Sequence, residues 1–149
     1  MMQIEIQKLC YKNIEQFIEL IDIFEEVFEM NNFELPVNKH LESILDNEEF
    51  LAFVAVYDGE IVGGLTAYIL HQYYSESPLV YIYDLAVMKK YQRKGIGKKL
   101  ILGIKDYCKE IGVKEVFVQA DEADVHALDF YRSTGAKETK VTHFSYPLN

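Results

Sequence analysis

The sequence has no tryptophan, three prolines and two cysteines among its 149 residues. Cys10 and Cys108 cannot build the disulfide framework of a small secreted protein; they point to a reducing compartment, the cytoplasm, and read as small core residues. No apolar run approaches the roughly 20 residues a membrane span requires. The opening stretch, Met1-Met2-Gln3-Ile4-Glu5, has neither the basic flank nor the apolar segment of a secretory signal. Positive charge is scarce too: Lys and Arg number 15 against 24 Asp and Glu, for a formal net charge of −9. A chain this acidic is repelled by nucleic acid and by anionic lipid, so neither is expected as a partner. His40, His71, His126 and His143 show no metal-ligand spacing with each other or with the cysteines, and no metal site is expected.

What is present is a 50% hydrophobic chain, enough for an ordinary core. No repeat, low-complexity tract or Pro/Gly/Ser-rich linker divides it, so residues 1–149 read as one domain. Ile4, Ile6 and Leu9 mark a short first strand. From Asn13 the period changes: Ile14, Phe17, Ile18, Ile21, Phe24 and Phe28 recur at three- and four-residue spacing with acids between them, the pattern of an amphipathic helix. Asn31-Asn32 ends it, and Pro36 opens a shorter helix carrying Leu41, Ile44 and Leu45.

Two strand-like runs, Phe50 to Tyr57 and Ile61 to Ile69, flank Asp58-Gly59 and read as a hairpin. Gly63-Gly64 in the second arm predicts a bulge or a close backbone approach. Val80 to Val87 is nearly all apolar, as in a central strand buried on both faces. A helix follows from Ile96 to Ile111, with Ile96, Leu100, Ile101, Ile104 and Cys108 on one face and Gly112 as its C′ residue. Then come a strand from Val116 to Ala120, parallel to the one before the helix, and a helix from Ala123 to Ser133 stopped by Gly135. A final strand or hairpin is expected over the last residues. The sum is a mixed α/β domain around a twisted sheet.

The charge is unevenly spread. Residues 12–60 carry thirteen acids against Lys12 and Lys39, and residues 88–114 carry nine Lys and Arg against Asp106 and Glu110. One stretch suits a cation and the other an anion. The basic stretch contains Gln92-Arg93-Lys94-Gly95-Ile96-Gly97-Lys98-Lys99, placed after a strand and opening a helix. The first N–H groups of a helix are unpaired and carry partial positive charge, and glycine there lets an anion reach the backbone. The pattern is a phosphate or pyrophosphate nest. It is not a dinucleotide fingerprint, because Leu100 stands where the third glycine belongs, and no G-x-x-x-x-G-K-[ST] exists.

These residues resemble the coenzyme loop of the GCN5-related N-acetyltransferase (GNAT) superfamily. Asp124-Val125-His126-Ala127-Leu128-Asp129-Phe130-Tyr131 followed by Gly135 is similar to that superfamily's N-x-x-A-x-x-F-Y-x-x-x-G-F helix, with Asp124 for the usual Asn and Ala136 for the usual aromatic. Tyr81 to Val87 (YIYDLAV), Val118-Gln119-Ala120-Asp121 and His143-Phe144 resemble the aminoglycoside 3-N-acetyltransferases within it.

The resemblance implies a sheet whose parallel strands splay around acetyl-CoA, transfer to a small cationic amine, antibiotic resistance as the context, and dimers built through the C-terminal strands. It implies that Gln92, Arg93, Lys94, Gly95, Ile96, Gly97 and Lys98 hold the pyrophosphate, that the backbone of Leu85, Ala86 and Val87 pairs with the pantetheine, and that Asp124, Ala127 and Tyr131 complete the coenzyme site. An N–H of Leu85 or Val87 would bond the thioester oxygen. Tyr131 would protonate the leaving thiolate, since phenol and thiol titrate within about two pH units of each other. Asp84 breaks an apolar strand, which is costly unless the group is paired or used; it is either the base, an ammonium anchor, or a carboxylate bonded to backbone at a bulge. Asp121, Glu122 and Asp124 follow the end of the neighbouring strand, where ligands collect in open α/β sheets, and with Asp84 they would make an acidic substrate rim. Glu29 and Glu34 could extend it. Protein or peptide amines, polyamines and non-catalytic acyl-CoA binding are the alternatives.

Overall fold

The computed structural model describes residues 2–149, which fall into two compact units, one running to Gln119 and the other from Ala120 onward. The first contains strands β1 (Glu5–Lys8), β2 (Phe50–Tyr57), β3 (Glu60–Leu70), β4 (Leu79–Val87) and β5 (Glu115–Val118) and helices α1 (Ile14–Val27), α2 (Asn38–Leu45) and α3 (Ile96–Glu110). The second contains helix α4 (Val125–Ser133). The strands form one mixed sheet in the order β1-β2-β3-β4-β5, antiparallel up to β4 and parallel between β4 and β5.

Residue alternation along the strands divides the core into two layers. Leu51, Phe53, Ala55, Leu65, Ala67, Val80 and Ile82 pack with Ile96, Leu100, Ile104 and Cys108 of α3. Phe50, Ala52 and Val54 pack on the opposite face with Phe17, Leu20, Ile23 and Phe24 of α1 and Leu41 and Leu45 of α2. Of the predicted α3 stripe, Ile96, Leu100, Ile104 and Cys108 are buried and Ile101 is half-buried at its edge. That of α1 is shifted: Leu20 and Ile23 are buried, while Phe28 lies beyond the helix, largely exposed and stacked on Phe24 at 5.6 Å. Pro36 stands two residues ahead of α2, whose N-cap is Val37.

The glycine pair in β3 provides both of the features expected of it. The β2–β3 register shifts at Ala55/Val56, leaving Val62 as the extra residue beside Gly63. A Cβ on Gly63 would lie 2.8 Å from the Ala86 carbonyl oxygen, and one on Gly64 would lie 2.5 Å from that of Phe53 and 2.6 Å from Leu20 Cδ1. Glycine here lets neighbouring strands and α1 approach.

Three expectations fail. No described residue after Ser133 is in helix or strand, so the final strand or hairpin is absent from this chain; Val141, Phe144, Tyr146 and Leu148 are exposed, with no layer to pack on. Cys10 is exposed on the loop leading to α1, where its N–H donates to Asn13 Oδ1 at 2.8 Å, and only Cys108 is a core residue. β4 is not buried on both faces: Val80, Ile82 and Val87 are buried against the α3 layer, but Tyr83 is exposed and Tyr81 and Asp84 only half-buried. Among the described residues no helix is long and apolar enough to cross a membrane.

Gly64→Ala should destabilise the fold by about 1–3 kcal/mol, because the methyl must displace a backbone carbonyl and a core leucine together. Urea unfolding followed by circular dichroism would register a lower midpoint with an unchanged slope.

Candidate active site

The candidate site begins where β5 ends and β4 runs on beyond it. β4 and β5 are in register from Leu79 opposite Glu115 to Ile82 opposite Val118, and there the pairing stops. β4 continues through Tyr83 to Val87, still paired with β3 on its other side. The stretch containing Leu85, Ala86 and Val87 therefore has no strand partner on the β5 side among the described residues, and a ligand with amide groups can pair there as an added strand.

The same stretch contains a bulge. Thr66 stands opposite Asp84 and Ala67 opposite Ile82, so Tyr83 is the extra residue. A bulge breaks the alternation of side chains. Ile82 and Leu85 belong to the α3 layer and Ala86 to the α1 layer, so Tyr83 and Asp84 are consecutive residues on the α1 side. Asp84 thereby lies on the part of β4 just beyond the end of β5. Its carboxyl is held above the usual carboxylate range by burial, and among the described residues no hydrogen bond or ion pair reaches it. The backbone-bonded role for Asp84 is not what the geometry provides.

Beyond Val87 the chain makes a 3-10 turn over Lys89–Tyr91 and then the loop. The Gln92 side chain donates from Nε2 to the Val87 carbonyl oxygen at 2.9 Å, tying the loop to the strand end. Its amide is thus used structurally. Arg93 (φ 62°) and Gly95 (φ 83°) both adopt the left-handed conformation on either side of Lys94. Gly95 is the N-cap of α3 and no side chain caps that end. The first intrahelical bond runs from Lys99 N–H to the Gly95 carbonyl, so the N–H groups of Ile96, Gly97 and Lys98 are the unpaired donors of the first turn. Ile96 is anchored in the core while Arg93, Lys94, Lys98 and Lys99 are exposed around it. An uncapped helix start flanked by left-handed residues and lysines fits the pyrophosphate of a coenzyme A thioester.

In the second unit, Asp121, Glu122 and Asp124 are all exposed. Two of them build the entry to α4: Asp121 Oδ1 accepts from Ala123 N–H at 2.8 Å, and Asp124 Oδ1 accepts from Ala127 N–H at 3.1 Å as the N-cap. Asp124 thus does for α4 what an Asn would do, and Ala127 is the donor it satisfies. Tyr131 is half-buried in the last turn, its ring edge-on to Phe130 at 5.0 Å, and its carbonyl accepts from the Thr134 hydroxyl at 2.6 Å. Arg132 forks onto Glu138 at 2.7 and 3.1 Å, which raises the guanidinium and lowers the carboxyl. Glu29 and Glu34 are exposed between α1 and α2.

Sequence reasoning gave no role to Tyr68, Tyr81 or Tyr83, whose rings form a connected group on β3 and β4. Tyr68 packs edge-on to Tyr83 at 5.8 Å, and burial followed by the neighbouring Tyr83 and Asp84 raises its phenol. No sequence signal distinguishes these from other strand tyrosines, because the bulge that aims Tyr83 is a property of the pairing.

Residues 17–136 match the Acetyltransferase (GNAT) family. An aminoglycoside acetyltransferase from an uncultured soil metagenomic sample, solved with sisomicin, is 52% identical, covers 98% of this chain and 97% of its own, and superposes with a TM-score of 0.97. The aminoglycoside N(6′)-acetyltransferase type 1 of Stenotrophomonas maltophilia is 26% identical over 76% of this chain and 76% of its own length. An N-alpha-acetyltransferase of Sulfurisphaera tokodaii is 28% identical over 82% of this chain and 79% of its own.

Asp84→Asn should stabilise the fold and impair the reaction together. A carboxyl whose folded pKa is raised stabilises the protein below its unfolded pKa and loses that contribution as pH rises through the folded one, so at neutral pH its charge opposes folding. Denaturant midpoints at pH 7 should rise in the variant and converge with wild type toward pH 4. Activity of the wild type should fall on the acid side at a pH above the ordinary carboxylate range, and that limb should vanish in the variant.

Proposed function

We propose, from the premise that the chain belongs to the GNAT family of acetyl-CoA-dependent N-acetyltransferases, that its acceptor is an aminoglycoside amine. The observation that carries this is the 52% identity, over nearly the whole of both chains, to an aminoglycoside acetyltransferase solved with sisomicin. The exposed Tyr83 ring beside the half-buried Asp84 carboxyl supports an acceptor that is both cationic and ring-bearing.

Acetyl-CoA supplies the acetyl group as a thioester. In this reading the N–H groups of Ile96, Gly97 and Lys98 hold the pyrophosphate, with Arg93, Lys94 and Lys98 adding charge and Gly95 and Gln92 fixing the loop. The unpaired edge at Leu85, Ala86 and Val87 aligns the pantetheine, and an N–H of Leu85 or Val87 donates to the thioester oxygen as charge develops on it. Asp84 takes the proton of the attacking amine or anchors its ammonium form. Tyr131 gives a proton to the departing thiolate, and Ala127 and Asp124 shape that end of the coenzyme site. Asp121, Glu122 and Asp124 attract the polycation. The cytoplasm is the compartment that fits this donor.

Regiochemistry has two supports that differ. The motifs around β4 resemble the 3-N enzymes, whereas the curated aminoglycoside relatives are of the 6′ type. The Sulfurisphaera relative keeps a protein N-terminus as a second reading of the acceptor. A thiol-release assay with acetyl-CoA against aminoglycosides, linear polyamines and peptides tests the acceptor class, and NMR of the acetylated product locates the amine. Turnover of peptides but of no aminoglycoside would replace the first reading with the second.

Gly97→Val should abolish coenzyme A binding by calorimetry while the circular dichroism spectrum is kept, since a branched side chain would crowd the backbone donors. Tyr131→Phe should lower turnover by about 10²–10⁴ with the coenzyme dissociation constant nearly unchanged. Wild-type turnover in a chemistry-limited assay would assign the proton to another group.

A further inference from the structure

The α1 side of the sheet carries a row of aromatic rings that the transfer chemistry does not use. Phe50 meets Tyr68 at 5.2 Å and Tyr68 meets Tyr83 at 5.8 Å. Tyr83 meets Tyr81 at 6.0 Å, and Tyr81 stacks on Phe117 at 5.0 Å with an interplanar angle of 15°. The row thus crosses β2, β3, β4 and β5. The Tyr81 hydroxyl donates to Gln119 Oε1 at 3.4 Å, holding that ring in place. One end of the row is core: Phe50 is buried, packed against Phe17. Tyr83, in its middle, is 59% exposed.

Packing does not account for Tyr83. A bulge is needed to put it beside Asp84 on one face, and its neighbours hold it edge-on at 88° and 87°. Two perpendicular contacts fix the plane of the ring while its surface stays open to solvent. A fixed aromatic surface next to a carboxylate attracts a ligand in two ways. The ring quadrupole and the carboxylate both favour an ammonium group. The axial C–H bonds on one face of a saturated six-membered ring point together into an aromatic face laid parallel to it, whereas a flexible chain must lose rotamer freedom to make the same contact.

We infer that Tyr83, braced by Tyr68 and Tyr81, is a specificity-determining residue that stacks a saturated ring of the acceptor while Asp84 holds an ammonium on the same ring, selecting cyclic over linear polyamines. This rests on the aminoglycoside reading and adds to it the residue that recognises the ring.

The test compares wild type, Tyr83→Leu and Tyr83→Phe by steady-state kinetics with sisomicin and with spermidine, alongside coenzyme A binding by calorimetry. Wild type should prefer sisomicin to spermidine in kcat/KM. Tyr83→Leu should lose about tenfold or more in kcat/KM for sisomicin, carried by KM, with coenzyme affinity unchanged. Tyr83→Phe, which keeps the ring face, should recover most of that loss. Several results would overturn the inference and leave the aminoglycoside reading standing: a leucine variant within twofold of wild type, a phenylalanine variant as poor as leucine, or coenzyme affinity falling in parallel. Spermidine used as well as sisomicin would also overturn it. A wild-type protein that acetylates peptides and no aminoglycoside would remove both.

Discussion

A strand that runs on past the end of its neighbour leaves a backbone edge whose donors and acceptors lack strand partners, and such groups are costly when buried without replacement. β5 ends at Val118, opposite Ile82, while β4 runs on to Val87, and the organisation of the candidate site follows from that overhang. The overhang leaves Leu85 to Val87 without a strand partner, the bulge at Tyr83 puts Asp84 beside it on one face, and the loop after Val87 presents the uncapped start of α3. A closed five-stranded ladder would satisfy more backbone and do nothing. In GNAT chemistry the extended part of the coenzyme is the natural occupant of such an edge.

In the proposed reading the two ends of the reaction are held by different kinds of surface. At the loop, recognition comes from main-chain geometry, with Gln92 bonded to Val87 and left-handed Arg93 and Gly95 shaping the turn. At the acceptor end it comes from side chains: Asp84, with its pKa raised by burial, and the tyrosines beside it. Burial acts in opposite senses on the two chemistries. The same partial desolvation that makes Asp84 unfavourable to the fold makes it a stronger proton acceptor and a stronger attractor of ammonium.

Much of this was legible in the sequence because the signals were local. Asp58-Gly59 marked its hairpin, Gly63-Gly64 its bulge and close contacts, and Ile96, Leu100, Ile104 and Cys108 their helix face. The loop was legible because glycine spacing, a preceding strand and a following helix are all sequence properties. What was not legible depended on pairing. Val80 to Val87 reads as doubly buried because its composition is apolar, yet the register shift opposite Thr66 and Ala67 puts Tyr83 and Asp84 together on an incompletely covered face. Cys10 reads as a core residue by type, but it sits where the chain turns from β1 into α1. The terminal Phe144, Tyr146 and Leu148 have strand-like alternation, and alternation creates a strand only when a partner edge is at hand.

A grip made of main chain has consequences for how this protein tolerates change. The donors at Ile96, Gly97 and Lys98 are main-chain groups, so in the proposed reading the surrounding lysines can drift while the handle for the coenzyme persists, provided position 97 stays small and the backbone can still adopt φ 83° at Gly95. The acceptor end has no such insurance if, as proposed, its selectivity resides in the individual side chains of one bulged strand. Retargeting the enzyme to a different amine is therefore a problem of a few positions on β4 and its neighbours, one that can be attempted without disturbing the donor.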